Sequence, residues 1–482
     1  MFKPSVWLLF LSHIVSIYGF GFRGFHYENP RELEINNTSR HIITEKWILQ
    51  PLNHFDIRDN RLWSMRYYEN DEFYNGTGPI LIMLGGEWAI TRGFLRSGLM
   101  FDIGKTHGAM MYYTEHRYYG KSRPVSDTEP ENLQFLNVDQ ALADIAYFIE
   151  KKKFELDKFN ESVIVFGGSY SGNMAAWSRL KYPHLIQGAL ASSAPVHAKA
   201  DFFEYYEVVS DSLRKYNEQC MKDVKSAIDT VELLLSHNDG AKVLQKSFNL
   251  CDTPNITSTS DIGWIMNSIA EIFASTVQYN SIESNGKSSI ANLCHKMMNS
   301  NIGNPFQRLS IIIKNFKCID WNYKNFVTEY SNTSWNLKQI TMRLWIYQTC
   351  TEYGYYQTSS NINSTFGTLF PLEFFIQMCT DLYGNYYSAL LLDASVKRTN
   401  VMYGGPLPDL NRVIFTNGNV DPWHALSIIE DTNGQTPVIL INGSSHTADL
   451  YTDLPTDIEE LTKARQRIRL IINEWITLGK KI

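Results

Sequence analysis

One segment, Ser162–Trp177 (SVIVFGGSYSGNMAAW), restricts the fold of this chain more than any other. A Val/Ile run of strand character ends in Gly167-Gly168, Ser169 follows at once, and the next residues read as a helix. Such a strand-to-helix elbow holds a nucleophilic serine on a tight, strained turn. Glycines flank the serine because neighbouring backbone crowds the turn. The helix start aims free N–H groups at developing negative charge, and the N–H of Tyr170 is the natural first donor of an oxyanion hole. The usual pattern is G-x-S-x-G, but here Ser171 stands at the last glycine and Gly172 comes one later. On this segment alone, a plain structural turn is an equal reading. A phosphate loop is a weaker one, because no Lys follows the glycines.

An elbow of this kind belongs to an α/β fold, and the flanking sequence has that rhythm. Short apolar runs occur at Pro79–Leu84, Ala109–Tyr113, Ser162–Phe166, Gly188–Ala191, Arg412–Thr416 and Pro437–Ile441. Runs of this length, rich in Val and Ile and bounded by turns, suit buried parallel strands. Helical patterns lie between them, as in Val138–Lys152 with apolar residues at 138, 142, 145, 146 and 149. Trp47–Phe55 and Leu62–Tyr68 alternate more, as antiparallel edge strands do. From about residue 200 to 395 the rhythm stops. Long helical stretches replace it, among them Ala200–Tyr216, Ile262–Tyr279 and Leu337–Cys350. All the cysteines (220, 251, 294, 318, 350 and 379) fall in that span. The expected organisation is a sheet domain from residues 40–199 and 396–482, closed over by a mainly helical insertion at 200–395. A last amphipathic helix is expected from about Asp457 to Leu478.

A serine at an elbow needs an orienting acid and a base later in the chain, in the order Ser, Asp, His. The strand at Arg412–Thr416 runs into Asn417-Gly418-Asn419-Val420-Asp421-Pro422-Trp423, so Asp421 lies at a strand's C-terminal end, where parallel-sheet sites assemble. The strand at Pro437–Ile441 leads to Asn442-Gly443-Ser444-Ser445-His446. His446 is therefore the expected base and Asp421 its partner. Each has a bland alternative: Asp421 as a loop acid bonding its own turn, and His424 as a competing base on the same loop. His116 precedes the serine and reads as a packing or loop-ordering residue. Gly85-Gly86-Glu87-Trp88 follows a strand whose loop commonly donates a second oxyanion N–H, which makes Gly86 or Glu87 a candidate. A plain turn is nearly as good a reading there.

Lys3 followed by the apolar Val6–Phe20 reads as a secretory signal over residues 1–20, with cleavage near Gly19 or Gly21. The apolar run is shorter than the roughly 20 residues of a spanning helix, so a membrane anchor is not expected. N-x-Ser/Thr sequons at Asn36, Asn37, Asn75, Asn160, Asn255, Asn332, Asn363 and Asn442 fit a glycosylated, secreted or lysosomal chain. An even cysteine count in such a compartment reads as disulfides, and no C-x-x-C or paired-His spacing supports zinc. A net charge of −6 with no basic block removes nucleic acid as a partner. No metal or other cofactor is implied.

These residues together resemble the prolyl carboxypeptidase and dipeptidyl peptidase II family of serine peptidases. The blocks are Gln50-Pro51-Leu52-Asn53-His54-Phe55, Leu84-Gly85-Gly86-Glu87, Glu115-His116-Arg117-Tyr118-Tyr119-Gly120-Lys121-Ser122, the elbow, Ala191-Ser192-Ser193-Ala194-Pro195-Val196, and the Asp421 and His446 loops. Lys181-Tyr182-Pro183-His184-Leu185-Ile186 and Asp421-Pro422-Trp423-His424-Ala425-Leu426-Ser427 look most like the thymus-specific serine protease branch. The resemblance implies an α/β-hydrolase fold with an inserted helical cap, called the SKS domain. It also implies Ser169, Asp421 and His446 as a triad acting on peptides. It further implies the pairings Cys220–Cys294, Cys251–Cys318 and Cys350–Cys379, although the family usually has more cysteines. Relatives form dimers, so a homodimer is a further expectation. Prolyl members carry Met after the elbow's last glycine, lining the proline pocket. Here that position is Asn173, with Met174 next, while the family's pocket Trp is matched by Trp423. An amide makes a less apolar pocket, and Glu87 is a further pocket candidate. An esterase on the same fold is disfavoured because the HGGG-type loop is absent. A non-catalytic hydrolase-like surface protein is disfavoured because all three triad positions are filled.

Overall fold

The computed structural model describes residues 42–282, 286–314, 317–431 and 433–479. The expected signal segment and the sequons at Asn36 and Asn37 lie outside them. The other sequon asparagines are all exposed.

Strands β1 (Thr44–Pro51), β2 (Leu62–Asn70), β3 (Ile80–Leu84), β4 (Met110–Thr114), β5 (Val163–Gly168) and β6 (Gly188–Ser192) come first. Two more, β9 (Val413–Gly418) and β10 (Val438–Ile441), complete an eight-stranded sheet in the order β1-β2-β4-β3-β5-β6-β9-β10. Only the β1–β2 and β2–β4 pairings are antiparallel. Parallel pairing runs from β4 through β3, β5, β6 and β9 to β10. This order, with one reversed strand near one edge and helices on both faces, is the α/β-hydrolase fold.

Parallel strands covered on both sides must be apolar on both, and these are. Ile80, Ile82, Leu84, Val163 and Val165 enter one core, while Leu81, Met83, Ile164 and Phe166 enter the other. Helices α2 (Val138–Glu155) and α3 (Tyr170–Lys181) cover the first face. Helices α1 (Leu99–His107) and α14 (Glu459–Gly479) cover the second, the latter through Ile468, Ile472, Trp475 and Ile476. Asn137 starts α2 by accepting the Gln140 N–H, and Gly108 ends α1 in a left-handed conformation.

Between β6 and β9 lie the helices α4 (Glu204–Tyr216), α5 (Glu218–Leu235), α6 (Asn238–Phe248), α7 (Thr259–Gln278), α8 (Ser289–Met297), α9 (Pro305–Ile313), α10 (Tyr323–Tyr330), α11 (Ile340–Gln348), α12 (Leu372–Tyr383) and α13 (Ala389–Tyr403). Disulfides Cys220–Cys294, Cys251–Cys318 and Cys350–Cys379 fasten these helices and the loops between them to one another. The helix expected from Ala200 starts four residues later, because Lys199–Asp201 forms a strand, β7. It pairs in parallel with β8 (Gly354–Tyr356), far along the chain. Likewise the helix expected from Leu337 to Cys350 begins at Ile340, and it passes into a wider, π-type turn over Thr349–Tyr353. No helix among the described residues is long and apolar enough to cross a membrane.

Candidate active site

The C-terminal ends of β5, β6, β9 and β10 meet at one edge of the sheet, and the sequence blocks converge there. Ser169 caps α3 with φ 58° and ψ −132°, a conformation that side chains other than glycine rarely adopt. Its backbone is pinned on both sides. Its N–H donates to Ser192 O (2.9 Å), and its carbonyl accepts from Gly172 N–H (2.8 Å) and Asn173 N–H (3.1 Å). The departure from G-x-S-x-G is accounted for locally. Ser171 Oγ accepts the Gly168 N–H (3.0 Å) and donates to Gly168 O (2.8 Å), so the serine ties the turn. The tight packing falls on other positions. A Cβ on Gly167 would lie 2.0 Å from Ser171 O, and one on Gly172 would lie 2.9 Å from Ser192 O.

Asp421 leaves the end of β9 fully buried, and His446 follows β10 almost as deeply. The His446 Nδ1 and an Asp421 carboxylate oxygen are 2.8 Å apart. The other carboxylate oxygen accepts the Trp423 N–H (3.0 Å), so the acid is gripped from two sides. His424 instead turns its Nδ1 to the Asp421 backbone carbonyl, at 2.6 Å. The residue after His446 packs on the serine turn. Thr447 sits where a Cβ on Gly168 would be, 2.9 Å from its methyl, and its N–H donates to Ser193 Oγ (2.9 Å). Ser169, Ser193 and Thr447 all have positive φ, so strain concentrates at this edge. Among the described residues no hydrogen bond joins Ser169 Oγ to the imidazole. Contacts of this type commonly tighten only when substrate is bound.

The N–H of Tyr170 opens α3 and has no intrahelical partner. In the loop after β3, the Gly85 N–H is taken by Thr114 O (2.8 Å), and the Glu87 carboxyl engages its own N–H. Gly86 is the donor left over. Trp88 packs over it, since a Cβ there would meet the indole ring at 2.6 Å. The Glu87 carboxyl is buried, and burial pushes its pKa up to about 8.

Asn173 and Trp423 are linked through Tyr355. Asn173 Nδ2 donates to Pro195 O and to Tyr355 Oη (both 3.2 Å), and the Tyr355 ring packs edge-on against Trp423. Phe202 and Tyr205 complete this aromatic wall. Met174 does not join it. It points behind the elbow into the core, beside Met65, Leu84, Ala141 and Ile145.

Several site contacts come from the helical segment and had no signal in the sequence. The Gln278 carbonyl accepts the His446 N–H (2.9 Å), and its side chain accepts from Trp423 Nε1 (3.0 Å) and Tyr205 Oη (2.6 Å). Tyr279 packs edge-on against the His446 ring. Gln348 donates to Tyr170 Oη (3.0 Å), which also meets His116 Nε2 at 3.0 Å. Burial holds the His116 pKa down at about 4, so it orders the loop as a neutral imidazole. No cluster of His, Cys, Asp and Glu that could hold a metal ion occurs among the described residues.

Comparison with known proteins places most of the chain in one family. The family model described as Serine carboxypeptidase S28 matches residues 50–468. Thymus-specific serine protease of Mus musculus is 32% identical over 452 residues, covering 90% of this chain and 88% of that protein. Lysosomal Pro-X carboxypeptidase of Mus musculus is 28% identical over 447 residues, covering 89% and 88% respectively. With the match spanning almost all of the described sheet and every helix between its halves, the chain belongs to the serine carboxypeptidase S28 family of serine peptidases.

Proposed function

We propose that the chain is an exopeptidase that trims short peptides through Ser169, His446 and Asp421. The observation that carries this is the buried Asp421–His446 hydrogen bond set against the strained Ser169 turn. His446 Nε2 takes the Ser169 proton as Oγ attacks the scissile carbonyl, then returns it to the leaving amine; water repeats the sequence to release the acyl group. Asp421 keeps the proton on Nδ1 and stabilises the imidazolium. The N–H groups of Tyr170 and Gly86 hold the tetrahedral oxyanion.

Trp423, Tyr355, Phe202, Tyr205 and Asn173 form the side-chain pocket. Its flat aromatic walls suit a compact apolar ring such as proline, and the name of the Pro-X carboxypeptidase relative agrees with that substrate. Three disulfides and the exposed sequons support an oxidising, secretory or lysosomal lumen as the place of action. Digestion of a peptide library, read by mass spectrometry, tests the proposal. Wild type is expected to trim one end with enrichment of proline beside the cut, and Ser169→Ala to leave the library intact. Internal cleavage, or trimming that persists in Ser169→Ala, contradicts it.

A further inference from the structure

The chemistry proposed above makes no use of the side chain of Glu87, which directly follows Gly86 in the loop after β3. Its location is specific. The hydroxyls of Tyr113 on β4, Tyr119 in the loop after β4, Tyr170 on α3 and Tyr279 at the end of α7 all lie within electrostatic range of its carboxyl. Tyr170 immediately follows Ser169, and Tyr279 lies against the His446 ring. The carboxyl thus shares its surroundings with a tyrosine of the nucleophile turn and with a tyrosine packed on the base. It is 5% exposed, and its Oε2 has no hydrogen-bond partner. A buried polar atom left in that state costs free energy unless something that binds there completes it.

Resting on the peptidase reading, we propose that Glu87 is a specificity-determining residue that acts as the neutral acid, donating its Oε2 proton to the free C-terminal carboxylate of the peptide. Three points support the neutral form and the carboxylate ligand. No cation among the described residues bears on Glu87; only burial and its own N–H do. The tyrosine hydroxyls around it are themselves held protonated by burial, so none compensates a negative charge. A negative carboxylate beside Gly86 would also oppose the oxyanion that this loop serves, whereas a neutral acid does not. A substrate ammonium would need the ionised form that burial disfavours. A substrate carboxylate needs the proton that is already there, and two carboxyls sharing one proton is an established arrangement. Asp421 and His446, across Tyr279, belong to the catalytic step and act on every substrate alike.

The consequence is a preference that depends on pH. Glu87 holds its proton up to about pH 8, so discrimination in favour of a free carboxylate is present in acid and is lost as the pH rises through that value. The test uses an N-acetylated pentapeptide with either a free C-terminus or a C-terminal carboxamide, and reads the ratio of their kcat/KM values from about pH 5 to 9. Because the same catalytic groups serve both substrates, the pH dependence of the chemical step cancels in the ratio.

Wild type is expected to prefer the free acid by about tenfold to hundredfold at pH 5, the worth of one hydrogen bond to a charged group, with the ratio falling toward one above pH 8. Glu87→Gln keeps an N–H donor at every pH and is expected to hold a preference that no longer changes with pH. Glu87→Ala is expected to lose it. A wild-type ratio near one at pH 5, a ratio constant to pH 9, a Glu87→Gln profile that falls like wild type, or a requirement for a free amino terminus would overturn the inference. Fluorophosphonate labelling of Ser169 in the same wild-type preparation separates the two failures. A labelled enzyme with a flat ratio sinks only the role of Glu87. An enzyme that never labels sinks the proposed function, and this inference with it.

Discussion

Asp421 and His424 make the sharpest contrast between single residues, because two histidines compete for one acid. His446 holds the Asp421 carboxylate through Nδ1, whereas His424 reaches only its backbone carbonyl. Replacing the carboxylate by an amide keeps the shape but favours the wrong imidazole tautomer. Asp421→Asn is therefore expected to lower kcat by about 10⁴-fold, and His424→Ala to stay within about tenfold of wild type. Steady-state peptide hydrolysis checks both, and the account fails if the two variants are equally impaired. At this scale most of the site was legible in the sequence. Ser169, Asp421 and His446 each follow a recognisable strand within a few residues, and a strand end is a local signal. Asn173 reaches Tyr355, the neighbour of Trp423, whereas Met174 faces the core. On a helix the next residue points about 100° away, and here that direction leads into the core.

The element that matters most is the β5–α3 elbow, where the apparent defect in the motif is a brace. Ser171→Gly restores G-x-S-x-G but removes both hydrogen bonds to Gly168 and adds freedom to the unfolded chain. It is expected to destabilise the protein by about 1–2 kcal/mol, measured by urea unfolding. A variant as stable as wild type would show that the serine is incidental.

Other sequence blocks proved to be scaffolding of the same kind. Glu115 accepts from Lys121 N–H (3.0 Å), Ser122 Oγ (2.7 Å), Ile90 N–H (3.1 Å) and Arg66. Arg117 holds Asp144 with both ends of its guanidinium, at 2.6 and 2.7 Å, while His54 meets the same carboxylate at 2.7 Å. These buried pairs fix the loop after β4 against β2, α2 and the loop after β1. What the sequence hid at this scale was the β7–β8 pair. Its strands are three residues each and lie far apart in the chain, so their pairing depends on tertiary contacts.

For the whole molecule, the helical segment supplies several walls of the site, and its contacts carry no local signature. Gln278, Tyr279, Gln348 and Tyr355 reach the catalytic edge only because the helices fold back over the sheet. The same closure buries titratable groups, and their shifts set how stability varies with pH. Glu352 accepts the Val138 N–H (2.8 Å) at the start of α2, and burial raises its pKa from 4.5 to about 7. Folded Glu352 therefore keeps its proton where the unfolded chain has lost it, so the folded state gains as pH falls from about 7 to 4.5. Glu87, raised from 4.5 to about 8, acts in the same direction. His116, lowered from 6.5 to about 4, acts against them, because the unfolded chain takes its proton first. Two groups outweigh one, so stability is expected to rise from pH 8 to pH 5. Glu352→Gln should remove on the order of 3 kcal/mol of that rise. Urea midpoints at the two pH values measure it, and a midpoint that falls toward pH 5 would contradict the assignment.

The central claim is that Ser169 is a nucleophile activated by His446. It is tested most directly by fluorophosphonate labelling of the purified chain from about pH 4 to 8, with the adduct mapped by mass spectrometry. The account predicts one phosphonylated residue, Ser169, with labelling abolished in Ser169→Ala and strongly slowed in His446→Ala. No adduct at any pH, an adduct on another serine, or labelling unaffected by the loss of His446 would contradict it.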